Sequence, residues 1–597
     1  RIVLGLPLGL GKANHIANAL VERALNDATL SLTILTALTL EAPQPRSLLE
    51  QRMLGPINER LFAGYPPLRY AALARQGKLP ANIEVREFFL QPGKWNGVAR
   101  VQQQYMAVNY TQAVEALLAA GMNVAAQLIA VPDNGDRDRI SLSCNPDLTV
   151  DLLEARRRGD ATFLAVGQVN RALPFMVGSA ERAASDFDLI LDSESTQFPL
   201  FTPPRESVSL TDYAIGLRIA ALIPDGGSLQ IGIGSIGDAV VHALLLRHRD
   251  NARFRAALAA LGVDSAPHCE PFVEGLYGIS EMLVDGFLEL LKAGILRREV
   301  DGRVLHAGFF VGSPGFYENL AGLSPEQRNK IGMEPISFVN QLYGDEQARR
   351  RARVGARFVN SAMMATLMGA AVSDGLEDGT VISGVGGQHD FVTQGLALEG
   401  ARSIISLRAV RGQGAALNSN IRWSYGHVTI PRYLRDMVVT EYGVADLRYR
   451  SDHEVVAAMI SIADTRFQPA LLEQAQAAGK LPADYRIPDS ARNNLPGAIA
   501  EKLVPFRAAG TLPAYPFGSD FTAVEQQLLP ALAALARASG GRRLRWFWRG
   551  LTTRGNALPP ETRQRLEQAL ARMGLDKPGD WREYLYRYLL TGALIQA

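Results

Sequence analysis

Cysteine is almost missing from this chain: only Cys144 and Cys269 occur in 597 residues. Two cysteines exclude a disulfide framework and point to a reducing compartment, so a cytoplasmic location is expected. The eight histidines are scattered, with no His-Glu-x-x-His and no Cys-x-x-Cys, so no metal site is expected. An excess of charge of either sign is also lacking, since 62 Lys and Arg against 60 Asp and Glu leave a net charge of +2. That balance argues against a dedicated nucleic-acid binder, whose affinity comes from massed basic residues on phosphates. No apolar run reaches the roughly 18 residues that a bilayer span needs. Among the longest, Leu30 to Leu40 is strand-length and rich in Thr. Neither nucleic acid nor a membrane is therefore an expected partner. Arg1 opens the chain inside an apolar, strand-like stretch, so some upstream sequence is expected.

What is present is a globular composition, 47% apolar and 20% charged, with 55 glycines and 32 prolines for tight turns. Short apolar runs alternate with amphipathic helical patterns, which reads as α/β with largely parallel sheets. Punctuation at Phe201–Arg205 and at Leu512–Asp520 suggests three parts. These are an α/β domain over 1–205, a second over 206–518, and a helical C-terminal extension over 519–597. The two α/β parts echo each other. Ile2-Val-Leu-Gly-Leu-Pro-Leu-Gly-Leu-Gly11 and Leu229-Gln-Ile-Gly-Ile-Gly-Ser-Ile-Gly237 each run from a strand through a glycine turn into a helix.

Three glycine-rich segments invite chemistry. Gly232-Ile-Gly-Ser-Ile-Gly237 matches G-x-G-x-x-G, but residues 246–262 are basic and helical where a dinucleotide site needs a second strand with an acidic end. Amides at a helix N-terminus that suit an anion remain. In Tyr277-Gly-Ile-Ser-Glu-Met-Leu-Val-Asp-Gly286, Ser280 is expected to cap a helix with Glu281 in its first turn. Two readings of Glu281 stay open, a dipole partner or an ionised carboxylate nucleophile. Asp285 falls at i+4 on the same face, where it could pair with Glu281 as a second carboxylate or stand as an ordinary solvated residue. In Ser383-Gly-Val-Gly-Gly-Gln-His-Asp-Phe391, after the strand-like Gly379–Ile382, successive glycines can turn backbone N–H groups toward an oxyanion. His389 and Asp390 stand adjacent on an extended segment, facing opposite ways. Arg542-Arg-Leu-Arg-Trp-Phe-Trp-Arg549 reads as a helix docking its Trp face while its arginines stay wet. Trp546, Phe547, Trp548, Trp581, Tyr584 and Tyr588 are expected to pack on the α/β body or on a second subunit, so a homodimer is possible.

The order of these segments resembles the acetyl-CoA hydrolase/transferase family, the family I CoA-transferases. The matching pieces are Leu229–Val240, Tyr277–Gly286, Phe358–Ala362, Ser383–Phe391, Ser403–Leu407 and Val438–Leu447. The resemblance implies an acyl-CoA and a short carboxylate as substrates, with no permanently bound cofactor. It implies Glu281 as the residue that forms a glutamyl-CoA thioester, with Gly386 and Gly387 holding the thioester oxygen. Coenzyme A would be held by Gly232, Ile233, Gly234, Ser235, Ile236, Gly384, Gly387, Arg402, Tyr442 and Gly443. Ser419-Asn420-Ile421, Gly369–Val372 and Arg402 depart from the family pattern and leave the acyl group unassigned. Transferase and hydrolase cycles share the intermediate. A nicotinamide oxidoreductase and a non-catalytic acyl-CoA-binding regulator remain alternatives.

Overall fold

The computed structural model describes residues 1–553 and 558–596. The chain divides into two compact units, one of residues 1–40 and 66–517, the other of 41–65 and 518–597.

The larger unit contains two sheets of the same winding. In the first, six parallel strands run in the order Ile83–Glu87, Leu32–Ala37, Ile2–Leu8, Val124–Ile129, Leu164–Val169 and Leu189–Leu191. The second has eight strands, ordered Ile331–Met333, Leu305–Phe310, Tyr277–Leu283, Ser228–Ile231, Arg357–Ser361, Arg402–Ser406, Met437–Thr440 and Gly443–Asp446. Only its last edge strand is antiparallel. Each sheet starts near its middle and winds outward both ways, which sets a crevice at the carboxyl ends of the central strands. The glycine turns of the sequence echo follow those first central strands. Near-continuous burial of Ile2–Leu8 and Ser228–Ile231 explains their apolar runs, because parallel strands are covered on both faces. The mixed α/β architecture is the one that the alternating segments imply.

Three local expectations change. Glu281 lies within the strand Tyr277–Leu283, and the helix begins only at Asp285. Ser280, read as a cap, instead donates its hydroxyl to the Ile231 carbonyl of the neighbouring strand at 3.2 Å. Pairing between parallel neighbours outweighs the local capping pattern. His389 and Asp390 sit in the first turn of the helix Gln388–Ala397 rather than on extended chain. Gly379–Ile382 contributes no strand to either large sheet.

The smaller unit is helical: Leu48–Phe62, Ala523–Arg537, Gly540–Thr552, Pro560–Arg572 and Trp581–Gln596. Its core joins Met53 and Ile57 to Leu528, Trp546, Leu570 and Leu590. Residues 41–65, placed with the first α/β part by the sequence, thus share a core with the C-terminal helices. Helices Gly540–Thr552 and Trp581–Gln596 cross backbone to backbone. A Cβ on Gly550 would lie 1.9 Å from the Tyr588 carbonyl oxygen, and one on Gly592 2.0 Å from that of Trp546. Of the aromatic residues expected to pack, Trp546 is buried, whereas Trp548, Trp581 and Tyr584 stay exposed. No described helix is long and apolar enough to cross a membrane.

Candidate active site

Glu281 lies beyond the last residue that its strand pairs with Ser228–Ile231, while the other side stays paired with Leu305–Phe310. The residue as a whole is half-buried. Asn340, which ends the short helix Ile336–Val339, donates from Nδ2 to Glu281 Oε2 at 2.8 Å. The same amide reaches Oδ2 of Asp390 at 3.2 Å. Asp390 also accepts from Thr111 Oγ1 at 3.0 Å and from Asn109. The segment Asn109–Thr111, near the first sheet, thereby meets a carboxylate near the second.

The glycine turn closes over Glu281. A Cβ on Gly387 would fall 1.8 Å from Glu281 Oε2 and 2.1 Å from Asn340 Nδ2, and one on Gly386 3.6 Å from Oε1. Gly386 holds a left-handed φ of 57°, which suits glycine. Its carbonyl accepts from the Tyr110 amide at 3.1 Å. Gly384 packs against Phe88 and Phe89, where a Cβ would meet Phe89 Cδ2 at 2.7 Å.

A buried polar network lies beneath. The Tyr110 hydroxyl donates to Asp147, which also accepts from Asn145 Nδ2 at 3.2 Å. Asn145 ties this pair to the first glycine turn, accepting from the Gly11 amide at 2.9 Å and donating to the Leu8 carbonyl at 2.9 Å. Lys12, fully buried, donates to the carbonyls of Pro7 at 2.8 Å and Leu38 at 3.3 Å.

Burial dominates the electrostatics. It pushes Glu281 up to about 8; the Asn340 hydrogen bond opposes this, Asp390 and Asp147 add to it, and the Gly387 backbone opposes it. Burial also raises Asp147 to about 6, against the Tyr110 hydrogen bond, and raises Asp390. Lys12 is lowered to about 7 by burial, with Glu87 and Asp147 opposing. A carboxyl kept partly protonated next to backbone amides and a side-chain amide can serve as a nucleophile once ionised.

Gly232, Ile233, Gly234, Ser235 and Ile236 form the turn after Ser228–Ile231 and open the helix Ser235–Arg249. Ser235 Oγ accepts from Arg408 at 3.1 Å. Ile233 and Gly234 line a cleft of about 250 Å³ together with Asp238, Val284, Asp285 and Ser313. Asp285 is not simply solvated, because Arg205 pairs with it and Ser313 donates to it at 3.0 Å. Tyr442 and Gly443 follow Met437–Thr440 at the same carboxyl edge. Three strands intervene before that of Glu281, which sets them about 19 Å away across the sheet. The Tyr442 hydroxyl donates to Asp464 at 3.1 Å.

Arg402 is not brought to this edge. It starts its strand in register with Arg357, which pairs with Leu229, and its guanidinium is held by Asp436 at 2.7 Å and by Asp446. A side chain at the amino end of a parallel strand faces away from the crevice at the carboxyl ends, so the expected contact with coenzyme A is not supported for Arg402. Sequence reasoning also missed Asn340, Asp147, Tyr110 and Lys12. A lysine directly after the Gly9–Gly11 turn was the one available signal; Asn340 stands in no motif.

Residues 312–475 match the acetyl-CoA hydrolase/transferase C-terminal domain. The chain is 29% identical over 327 residues to the 4-hydroxybutyrate coenzyme A transferase of Clostridium kluyveri, covering 53% of this chain and 65% of that protein. It is 27% identical over 315 residues to the succinyl-CoA:cyclohexane-1-carboxylate CoA transferase of Geobacter metallireducens, covering 52% and 63%. Its match thus spans just under two thirds of the length of these relatives. Among solved structures, RipA from Yersinia pestis shares the fold with a TM-score of 0.59 at 21% identity, covering 80% of this chain and 94% of that one. The 4-hydroxybutyrate CoA-transferase from Porphyromonas gingivalis does so with a TM-score of 0.53 at 19% identity and the same coverage. With the matched domain and these relatives together, the chain is similar to CoA-transferases, and its residues 312–475 match a domain of the acetyl-CoA hydrolase/transferase family.

Proposed function

We propose that the protein is an enzyme that transfers coenzyme A from an acyl-CoA to a short carboxylate, with Glu281 as the covalent nucleophile. The observation that carries this reading is the glycine turn whose Gly387 has room for no side chain because the Glu281 carboxylate occupies that space.

An ionised Glu281 oxygen adds to the thioester carbonyl, and the carbon–sulfur bond breaks to give a mixed anhydride and CoA thiolate. The thiolate then attacks the glutamyl carbonyl, releases the acyl group as its carboxylate, and leaves a glutamyl-CoA thioester. An acceptor carboxylate repeats the two steps in reverse and departs as the new acyl-CoA. Carboxylate attack on a thioester is uphill, because thiolate is the better nucleophile and carboxylate the better leaving group. Binding of the remote nucleotide portion along the Gly232–Ile236 turn can offset that cost. Amides of Gly386 and Gly387 supply donors for the oxyanion, and Asn340 orients the nucleophile.

In a hydrolase cycle water replaces the acceptor at the same intermediate. Incubation with acetyl-CoA followed by borohydride should leave a reduced glutamyl residue in the peptide carrying Glu281. Thiol release compared with new acyl-CoA across short carboxylates separates transferase from hydrolase. Near-normal turnover by Glu281→Ala would overturn the mechanism.

A further inference from the structure

The smaller unit carries a surface that the proposed chemistry does not use. Helix Gly540–Thr552 has two apolar stripes. One holds Trp546 and Gly550 and is buried against Trp581–Gln596. The other holds Leu544, Phe547, Trp548 and Leu551, spaced i, i+3, i+4 and i+7 along one face. Leu544 is 58% exposed, Trp548 55% and Leu551 42%. This stripe continues onto the helix Trp581–Gln596 through aromatic contacts: Phe547 meets Trp548 at 6.0 Å and Tyr588 at 5.8 Å, and Tyr588 meets Tyr584 at 6.4 Å. Trp581, one turn before Tyr584, is 70% exposed.

Charge accompanies the apolar ridge. Between Glu525 and Glu561 the sequence has six arginines, at 537, 542, 543, 545, 549 and 554, and no acidic residue. Arg545 and Arg549 lie beside the exposed stripe on the helical wheel and make no side-chain hydrogen bond or ion pair among the described residues. From this arrangement we propose that this face is a docking surface for an anionic phospholipid bilayer. The helix Gly540–Thr552 would lie in the interface plane, with Leu544, Trp548 and Leu551 in the headgroup boundary and the arginines on lipid phosphates.

Three features select this occupant. Aliphatic Leu544 and Leu551 offer nothing for bases to stack on, whereas an in-plane helix buries them directly. Tryptophan and tyrosine at the ridge suit a boundary that is apolar on one side and wet on the other. A second copy docking face to face would set this acid-free arginine stripe against itself, which like-charge repulsion disfavours. The proposal goes beyond the expectation that no membrane is a partner, and it calls for no spanning helix; no described helix is long and apolar enough to cross one.

The test uses the full chain and cosedimentation with two vesicle types, phosphatidylcholine alone and phosphatidylcholine enriched in phosphatidylglycerol. Tryptophan emission reports insertion. The parent should bind only the anionic vesicles, with a blue shift, and should release in high salt. The exposed-site variants L544S/W548S and R545E/R549E should fold normally by circular dichroism and lose about tenfold or more in vesicle partitioning. Glu281-dependent turnover in solution should not change in either variant, which keeps this inference separate from the proposed reaction. No sedimentation with anionic vesicles, or equal binding by the variants, would overturn it. So would a parent dimer that the L544S/W548S variant dissociates, or retention on single-stranded nucleic acid without vesicle binding.

Discussion

Replacing Gly387 by Ala isolates the role of close packing at the nucleophile. The native φ at this residue is −96°, a conformation open to alanine, so the substitution adds no backbone strain. Its one new atom would stand 1.8 Å from Glu281 Oε2 and 2.1 Å from Asn340 Nδ2. Restoring ordinary contact requires the carboxylate to move by roughly 1.5 Å. Such a shift also breaks the 2.8 Å bond from Asn340. Misplacing a reacting group by about 1 Å costs on the order of a hundredfold, or roughly 2.7 kcal/mol at the transition state. Steady-state assay of Gly387→Ala should therefore show kcat reduced by about a hundredfold or more, with KM for acyl-CoA changed far less. Trapped glutamyl thioester should fall in parallel. A variant with kcat within a few-fold of the parent and a full yield of trapped intermediate would refute the claim that this turn and this carboxylate form one reacting unit.

Other expectations concern titration and the network beneath the site. Because Glu281 must be ionised to attack and is pushed up to about 8, kcat/KM should rise with pH through that value, and a flat profile from acid to alkaline pH would contradict it. Its raised value also favours the protonated folded state, so stability held below the unfolded carboxyl range is lost as pH climbs toward about 8. Urea titrations should then show Glu281→Gln gaining stability on the parent across that window, and parallel curves would exclude it. Tyr110→Phe removes a donor to buried Asp147, costs about 1.5–3 kcal/mol in the same assay, and should raise the Asp147 carboxyl further above about 6.

Much of the architecture was legible because its signals are local. Apolar runs followed by glycine turns mark both central strands. The C-terminal helices announce themselves through Pro560 at a helix start and the left-handed Gly574 after its end. Locality failed at Ser280, where a capping pattern lost to the pairing of buried strands. It failed again at residues 41–65, since no residue there encodes a partner that lies more than four hundred positions away. The candidate site was legible only where one motif contains its parts. Glu281 and the Gly384–Gly387 turn stand in motifs, although the family resemblance, and not the residues alone, made Glu281 a nucleophile. Asn340, Tyr110 and Asp147 come from three separate segments, and tertiary packing alone assembles them around Glu281.

The two-piece construction of the smaller unit bears on its synthesis. Residues 41–65 leave the ribosome long before residues 518–597, and Met53 and Ile57 have no core to enter until the later helices emerge. At ordinary elongation rates the interval is roughly 25 to 90 s. During that time an amphipathic helix with an unsatisfied apolar face hangs from a domain that is already assembling its first sheet. Nascent chains should accordingly engage chaperones at residues 41–65 until residues 518–597 have emerged, and ribosome-bound intermediates arrested before residue 518 should be especially aggregation-prone.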